Sequence, residues 1–98
     1  RIQSHSFICE KVSIGKKCFI SHGTMFVNDL VKSGKINRNS KQFKKTTIGN
    51  NVTIGSNSTI LPVKISSNIV VGAGSVVTKN LSIKGIYAGN PAKLTRRL

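Results

Sequence analysis

A large apolar residue recurs at every sixth position through Ile2, Ile8, Ile14, Ile20 and Phe26, and the ladder resumes after a break at Ile48, Ile54, Ile60, Ile65, Val71 and Val77. An α-helix repeats at about 3.6 residues and a half-buried strand at about two, so neither element alone generates this period. A chain that buries one side chain per short flat segment and then turns a corner does. The ladder therefore predicts an all-β fold, a parallel β-helix built from hexapeptide repeats. About four residues after each rung stands a second, mostly smaller residue that fills the rest of a narrow core: Ser6, Val12, Cys18, Thr24, Val52, Ser58, Val63, Ile69 and Ser75. Corner formers lie between, as in Gly15-Lys16-Lys17, Gly49-Asn50-Asn51 and Gly55-Ser56-Asn57. Glycine and asparagine tolerate the positive φ that sharp corners need.

With 98 residues the chain has room for one domain and no second core. It opens on Arg1 in mid-ladder without a polar cap, which predicts a C-terminal fragment with further coils upstream. Residues 30–47 leave the ladder as one long loop rich in Lys, Asn and Ser, and the restart at Ile48 where position 32 was due makes this an insertion of sixteen residues. Insertions of this kind project from one face of a repeat protein and often carry its binding site. A five-residue step from Ile60 to Ile65 marks a tighter corner at Pro62. In the tail, 84–98, Asn90-Pro91-Ala92 reads as a helix start with Asn as cap and Pro at the first position, predicting a short C-terminal helix that caps the solenoid with Leu94 and Leu98 on one face.

The net charge is +14, and clustered lysines of this kind attract phosphates. Aromatic residues for base stacking are not interleaved with them, so the reading is no nucleic-acid partner; a non-catalytic basic binding module stands as an alternative. Anionic cosubstrates explain a positive surface equally well. No apolar run is long enough for a membrane span and no signal-peptide layout opens the chain, which predicts a cytoplasmic protein without membrane insertion. Cys9 should point outward and Cys18 inward, so no disulfide is expected, and no Cys or His spacing suits a metal.

Three hexads per coil place residues eighteen apart in one stack, at the roughly 4.8 Å spacing of neighbouring strands. Glu10 and Asn28 then share one outward corner, and Ser4 and His22 share another. Glu10 and Asp29 are the chain's two acids, and both fall beside the start of the long loop.

Three stretches carry a resemblance. They are Ser4 to Glu10 with Phe19 to Asp29, then Ile54 to Pro62, and finally Val71 to Lys79 with Ala88 to Lys93. Together they resemble the left-handed β-helix acyltransferases, and the Phe26-Val27-Asn28-Asp29 stretch before a long loop is similar to N-acetyltransferases acting on nucleotide-linked amino sugars. The chain departs from them after Asp29, reading Leu30-Val31-Lys32 where relatives have a Tyr-Pro-Arg type continuation.

The resemblance implies an acetyl-CoA-dependent enzyme without a metal. It implies a homotrimer with coenzyme A in the groove between two solenoids, along Gly72, Ala73 and Gly74, with Lys79, Asn90, Pro91 and Lys93 as further cofactor contacts. The acceptor would be a dTDP- or UDP-linked deoxy-amino sugar used in surface-polysaccharide or glycan precursor synthesis. Asn28 would orient its amine, Glu10 or His22 would receive the proton, and Asp29 and His5 would contact the sugar. Positioning can supply about 7–11 kcal/mol of such a barrier, an oxyanion donor about 2.7–4 kcal/mol and a general base about 10²–10⁴ in rate. An O-acetyltransferase of the same superfamily is the rival reading. It needs a firm base, which would make His22 indispensable.

Overall fold

The computed structural model describes residues 1–28, 34 and 44–98. Its strands run in chain order β1 (Val12–Ile14), β2 (Phe19–Ile20), β3 (Met25–Phe26), β4 (Thr46–Ile48), β5 (Thr53–Ile54), β6 (Thr59–Ile60), β7 (Lys64–Ile65), β8 (Ile69–Val71), β9 (Val76–Val77), β10 (Gly85–Gly89) and β11 (Ala92–Arg97). They form three sheets: A, of order β11-β10-β8-β5-β2; B, of order β3-β6-β9; and C, of order β1-β4-β7. From β1 to β9 successive strands step from sheet to sheet, and each pairs in parallel with the strand one coil away. The result is a three-sided, left-handed parallel β-helix.

The rungs stack as the period predicts. Ile20, Ile54 and Val71 line sheet A, Phe26, Ile60 and Val77 line sheet B, and Ile48 and Ile65 line sheet C, all at most 2% exposed. The smaller series is buried with them, including Cys18, Thr24, Val52, Ser58, Val63, Ile69 and Ser75. Polar members find partners inside: the Ser58 and Ser75 hydroxyls both donate to the Gly72 carbonyl, at 3.2 and 2.6 Å.

Corner geometry is equally regular. His5, Lys11, Lys17, Gly23, Asn51, Asn57, Asn68 and Gly74 each stand three residues after a rung, and each has φ between 57° and 73°. The tighter corner after Ile60 lacks this left-handed residue, and pairing across it shortens to seventeen residues, as from Thr47 to Lys64. A Cβ in the left-handed region costs roughly 1–2 kcal/mol, and glycine returns roughly 0.5–1 kcal/mol in chain entropy. Lys17→Gly is therefore expected to stabilise the chain by up to about 1 kcal/mol, read as a higher urea midpoint. Lys17→Val, with a branched Cβ at the same φ, should lower it.

Two expectations are corrected. The chain re-enters the ladder at Thr46, since Val12, Ser13 and Ile14 pair with Thr46, Thr47 and Ile48. The loop therefore ends before residue 47; its residues 30–33 and 35–43, like Asp29, lie outside the described residues. Thr46 occupies the core position that Val12 holds one coil below, with its hydroxyl buried and without a hydrogen-bond partner.

The second correction concerns the tail, which is not helical. After Val77 the next buried large side chains are Leu81 and Tyr87, stacked on Ile65 and Val71. β10 continues sheet A, and β11 folds back antiparallel on it through the cis Asn90-Pro91 bond. The physical cause is the open edge of β10: its unpaired N–H and C=O groups need partners, which a strand supplies and a helix does not. Leu94 packs against the core, whereas Leu98 is exposed.

Candidate functional site

The three edges of the prism sort the candidate residues. The edge between sheets A and B carries His5 and His22, with Ser56 and Ala73 stacked in turn beyond His22. The register of Ile20, Ile54 and Val71 sets this column, and the Asn57 N–H to His22 C=O and Gly74 N–H to Ser56 C=O bonds (3.1 and 2.8 Å) tie it together. His22 is exposed but held from both sides. Its N–H donates to Gln3 Oε1 at 3.3 Å, and its Nδ1 lies 3.4 Å from Ser56 Oγ, leaving Nε2 as the ring's other nitrogen. Sequence reasoning passed over Ser56, read only as a corner residue; the stacking rule that linked Ser4 to His22 finds it once the sixteen-residue insertion is added.

Farther along the same edge, Gly72, Ala73 and Gly74 form an outward corner. A Cβ on Gly72 would sit 3.2 Å from Ala88, and the Gly89 N–H donates to Ser75 Oγ at 3.2 Å. The hairpin turn with Asn90 and Pro91, and Lys93 at the start of β11, is thereby brought to this corner. A Cβ on Gly74 would meet no atom within 4 Å, so the corner is open. A backbone exposed in this way can pair with the amides of a pantetheine chain.

The edge between sheets B and C carries Glu10 and Asn28, with Pro62 and Lys79 next in the column. Asn28 Nδ2 donates to the Glu10 carbonyl at 3.3 Å, and the Asn28 carbonyl accepts from the Lys44 N–H at 3.1 Å. Glu10 is exposed and Asn28 half-buried. Cys9 adjoins them; burial pushes its thiol up, its backbone hydrogen bond pulls it down, and Glu10 adds to the rise. It is thus a thiol at neutral pH and a poor nucleophile. Within one chain, then, sheet B separates His22 and the Gly72–Gly74 corner from Glu10, Asn28 and Lys79. Among the described residues no group of three or more His, Cys, Asp or Glu is placed to hold a metal, and no helix is long and apolar enough to cross a membrane.

Residues 45–79 match the family described as the hexapeptide repeat of succinyl-transferase, the segment that contributes β4 to β9. The chain has the hexapeptide-repeat, left-handed β-helix fold and is similar to acetyltransferases built on it. This hexapeptide-repeat chain is 32% identical over 114 residues to a probable macrolide acetyltransferase of Lysinibacillus sphaericus, with 95% of this chain and 63% of that protein covered. It is 37% identical over 90 residues to the galactoside O-acetyltransferase of Escherichia coli (strain K12), covering 89% of this chain and 44% of that one. The solved structure of galactoside acetyltransferase in complex with coenzyme A superposes with a TM-score of 0.68 at 32% identity, over 88% of this chain and 44% of that one. The hexapeptide-repeat chain thus spans less than two thirds of the length of each of these relatives.

Proposed function

We propose that this chain is the catalytic β-helix of an acetyl-CoA-dependent acetyltransferase with a sugar acceptor, working as a homotrimer. The observation that carries the reading is the division of candidate residues between the two edges that flank sheet B. Sheet B's outward row is Phe7, Met25, Thr59 and Val76, and Phe7 and Met25 are 57% and 43% exposed in the single chain. Parallel sheets are normally covered on both faces. Packing three sheet B faces around a threefold axis covers this row by a heterologous contact that closes, and it brings the A–B edge of one copy beside the B–C edge of the next.

In that groove the thioester lies along the Gly72–Gly74 corner, near the hairpin turn with Asn90, Pro91 and Lys93. The acceptor lies against Asn28 and Glu10 of the neighbouring copy. Positioning of the two reactants is the largest contribution. Asn28, its side chain fixed on the Glu10 carbonyl, orients the attacking group. Asp29, His5 and Lys79 complete the proposed contacts to sugar and cosubstrate. Coenzyme A supplies the activated acetyl group, as it is the ligand bound in the galactoside acetyltransferase complex.

The Phe26-Val27-Asn28-Asp29 stretch supports a nucleotide-linked amino sugar, whose neutral amine attacks the acetyl carbonyl. The His22–Ser56 contact favours a second reading, a hydroxyl acceptor: an imidazole held at Nδ1 presents Nε2 as the base a hydroxyl needs, and the galactoside relative is an O-acetyltransferase. Release of coenzyme A thiol, measured with dTDP- and UDP-linked 3- and 4-amino sugars and their hydroxyl counterparts, separates the two. His22→Ala should lower turnover about 10²–10⁴-fold with a hydroxyl acceptor and by less than about tenfold with an amine. A folded chain that binds no acetyl-CoA would sink both.

A further inference from the structure

Charge is unevenly distributed on this molecule. The outward row of sheet B, Phe7, Met25, Thr59 and Val76, holds no ionisable side chain, and on sheet A Phe19, Thr53, Val70 and Ile86 lie between cations at the two ends, Arg1 over the Phe19 ring and Lys93 and Arg96 on β11. Six lysines gather around sheet C. Lys11, Lys44 and Lys45 stand along its B–C edge, Lys64 in the middle of its outward row, and Lys16 and Lys17 along its C–A edge, all exposed. The rest of the outward row is Ser13, Thr47 and Asn80, whose Oδ1 accepts from the Lys64 N–H at 2.8 Å. Among the described residues no acid lies on sheet C or its C–A edge, and Glu10 stands at the far margin.

We propose that the sheet C face docks on an anionic phospholipid bilayer. The lysines span the full width of the sheet in three rows, a two-dimensional array that matches a plane of phosphates better than the single file of a linear polymer. They are lysines rather than arginines, so they supply diffuse positive charge without the bidentate fork that reads one phosphate group. Aromatic rings for stacking unpaired bases are absent from the face. Its outward row carries no apolar side chain, so the chain adsorbs at the headgroups without inserting, and the attraction decays within a Debye length. Sheet C is free of the proposed threefold contact, and the inference stands whether or not acetyl transfer is found. Adsorbed in this way, the chain holds its B–C edge beside the lipid surface.

Co-sedimentation with vesicles of phosphatidylcholine alone, and of phosphatidylcholine with phosphatidylglycerol, tests the inference. The chain should pellet only with the anionic vesicles and should be released as salt rises from about 0.05 to 0.5 M. Combining Lys16→Gln, Lys17→Gln, Lys45→Gln and Lys64→Gln should weaken binding at least about tenfold with an unchanged melting curve. Should that variant fail to fold, Lys64→Gln alone should weaken binding about fivefold. Equal binding to neutral vesicles, or binding that the substitutions leave intact, would overturn it. So would release from the vesicles by duplex DNA at matched phosphate, which would make the partner a linear polyanion.

Discussion

Ile54→Ala is expected to destabilise the chain by about 2–5 kcal/mol, enough to consume much of the stability of a small domain. Ile54 is fully buried in sheet A, between Ile20 of the coil below and Val71 of the coil above. A β-helix core is one side chain wide, so the space left by a missing rung has few neighbours free to relax into it. Coils also depend on contact with their immediate neighbours, so the loss should uncouple the coils on either side. Chemical denaturation with Ile54→Val alongside checks this, with about 0.5–1.5 kcal/mol expected for the smaller deletion. A cost near zero for Ile54→Ala would mean that sheet A does not pack as described.

Subunit mixing is expected to restore activity to two inactive variants. His22→Trp removes the imidazole and fills the A–B edge where the thioester is proposed to lie; Asn28→Ala removes the amide proposed to orient the acceptor on the B–C edge. Each alone should fall to a few per cent of the parent rate or less, since misplacement of a reactant by about 1 Å costs about a hundredfold. If every site joins the A–B edge of one copy to the B–C edge of the next, random trimers from equal co-expression hold an intact pair at about one site in four, and about a quarter of the parent turnover should return. A mixture no more active than its components would show that each chain carries its whole site, contradicting the division across sheet B.

Much of the fold was legible because a β-helix is written in short range. The rungs from Ile20 to Val77 and the smaller residues from Cys18 to Ser75 could be assigned by counting, since each hexad repeats one local geometry. The same count placed Glu10 beside Asn28, which the Asn28 amide bond to the Glu10 carbonyl matches. Counting failed where the step length changed. Thr46 was missed because the insertion hid where the register resumes, and Leu81 because the step from Val77 shortens to four residues. Asn90-Pro91 carries the local marks of a helix start, but the demand of the β10 edge for hydrogen bonds outweighed them and drew Ala92–Arg97 into an antiparallel strand.

The sequence by itself determined the period, and with it the three-sided coil, the identity of the core and the positions of the corners, because each depends on residues within one turn of the solenoid. Only the tertiary structure decided which edge each candidate occupies. His22, Ser56, Ala73 and the Asn90-Pro91 turn meet on one edge, Glu10, Asn28 and Lys79 on another, and the lysines around sheet C. The physical reason is that edge membership is a sum over every step length that precedes a residue. One sixteen-residue insertion and two shortened corners shift that sum, and only strand pairing between coils resets it.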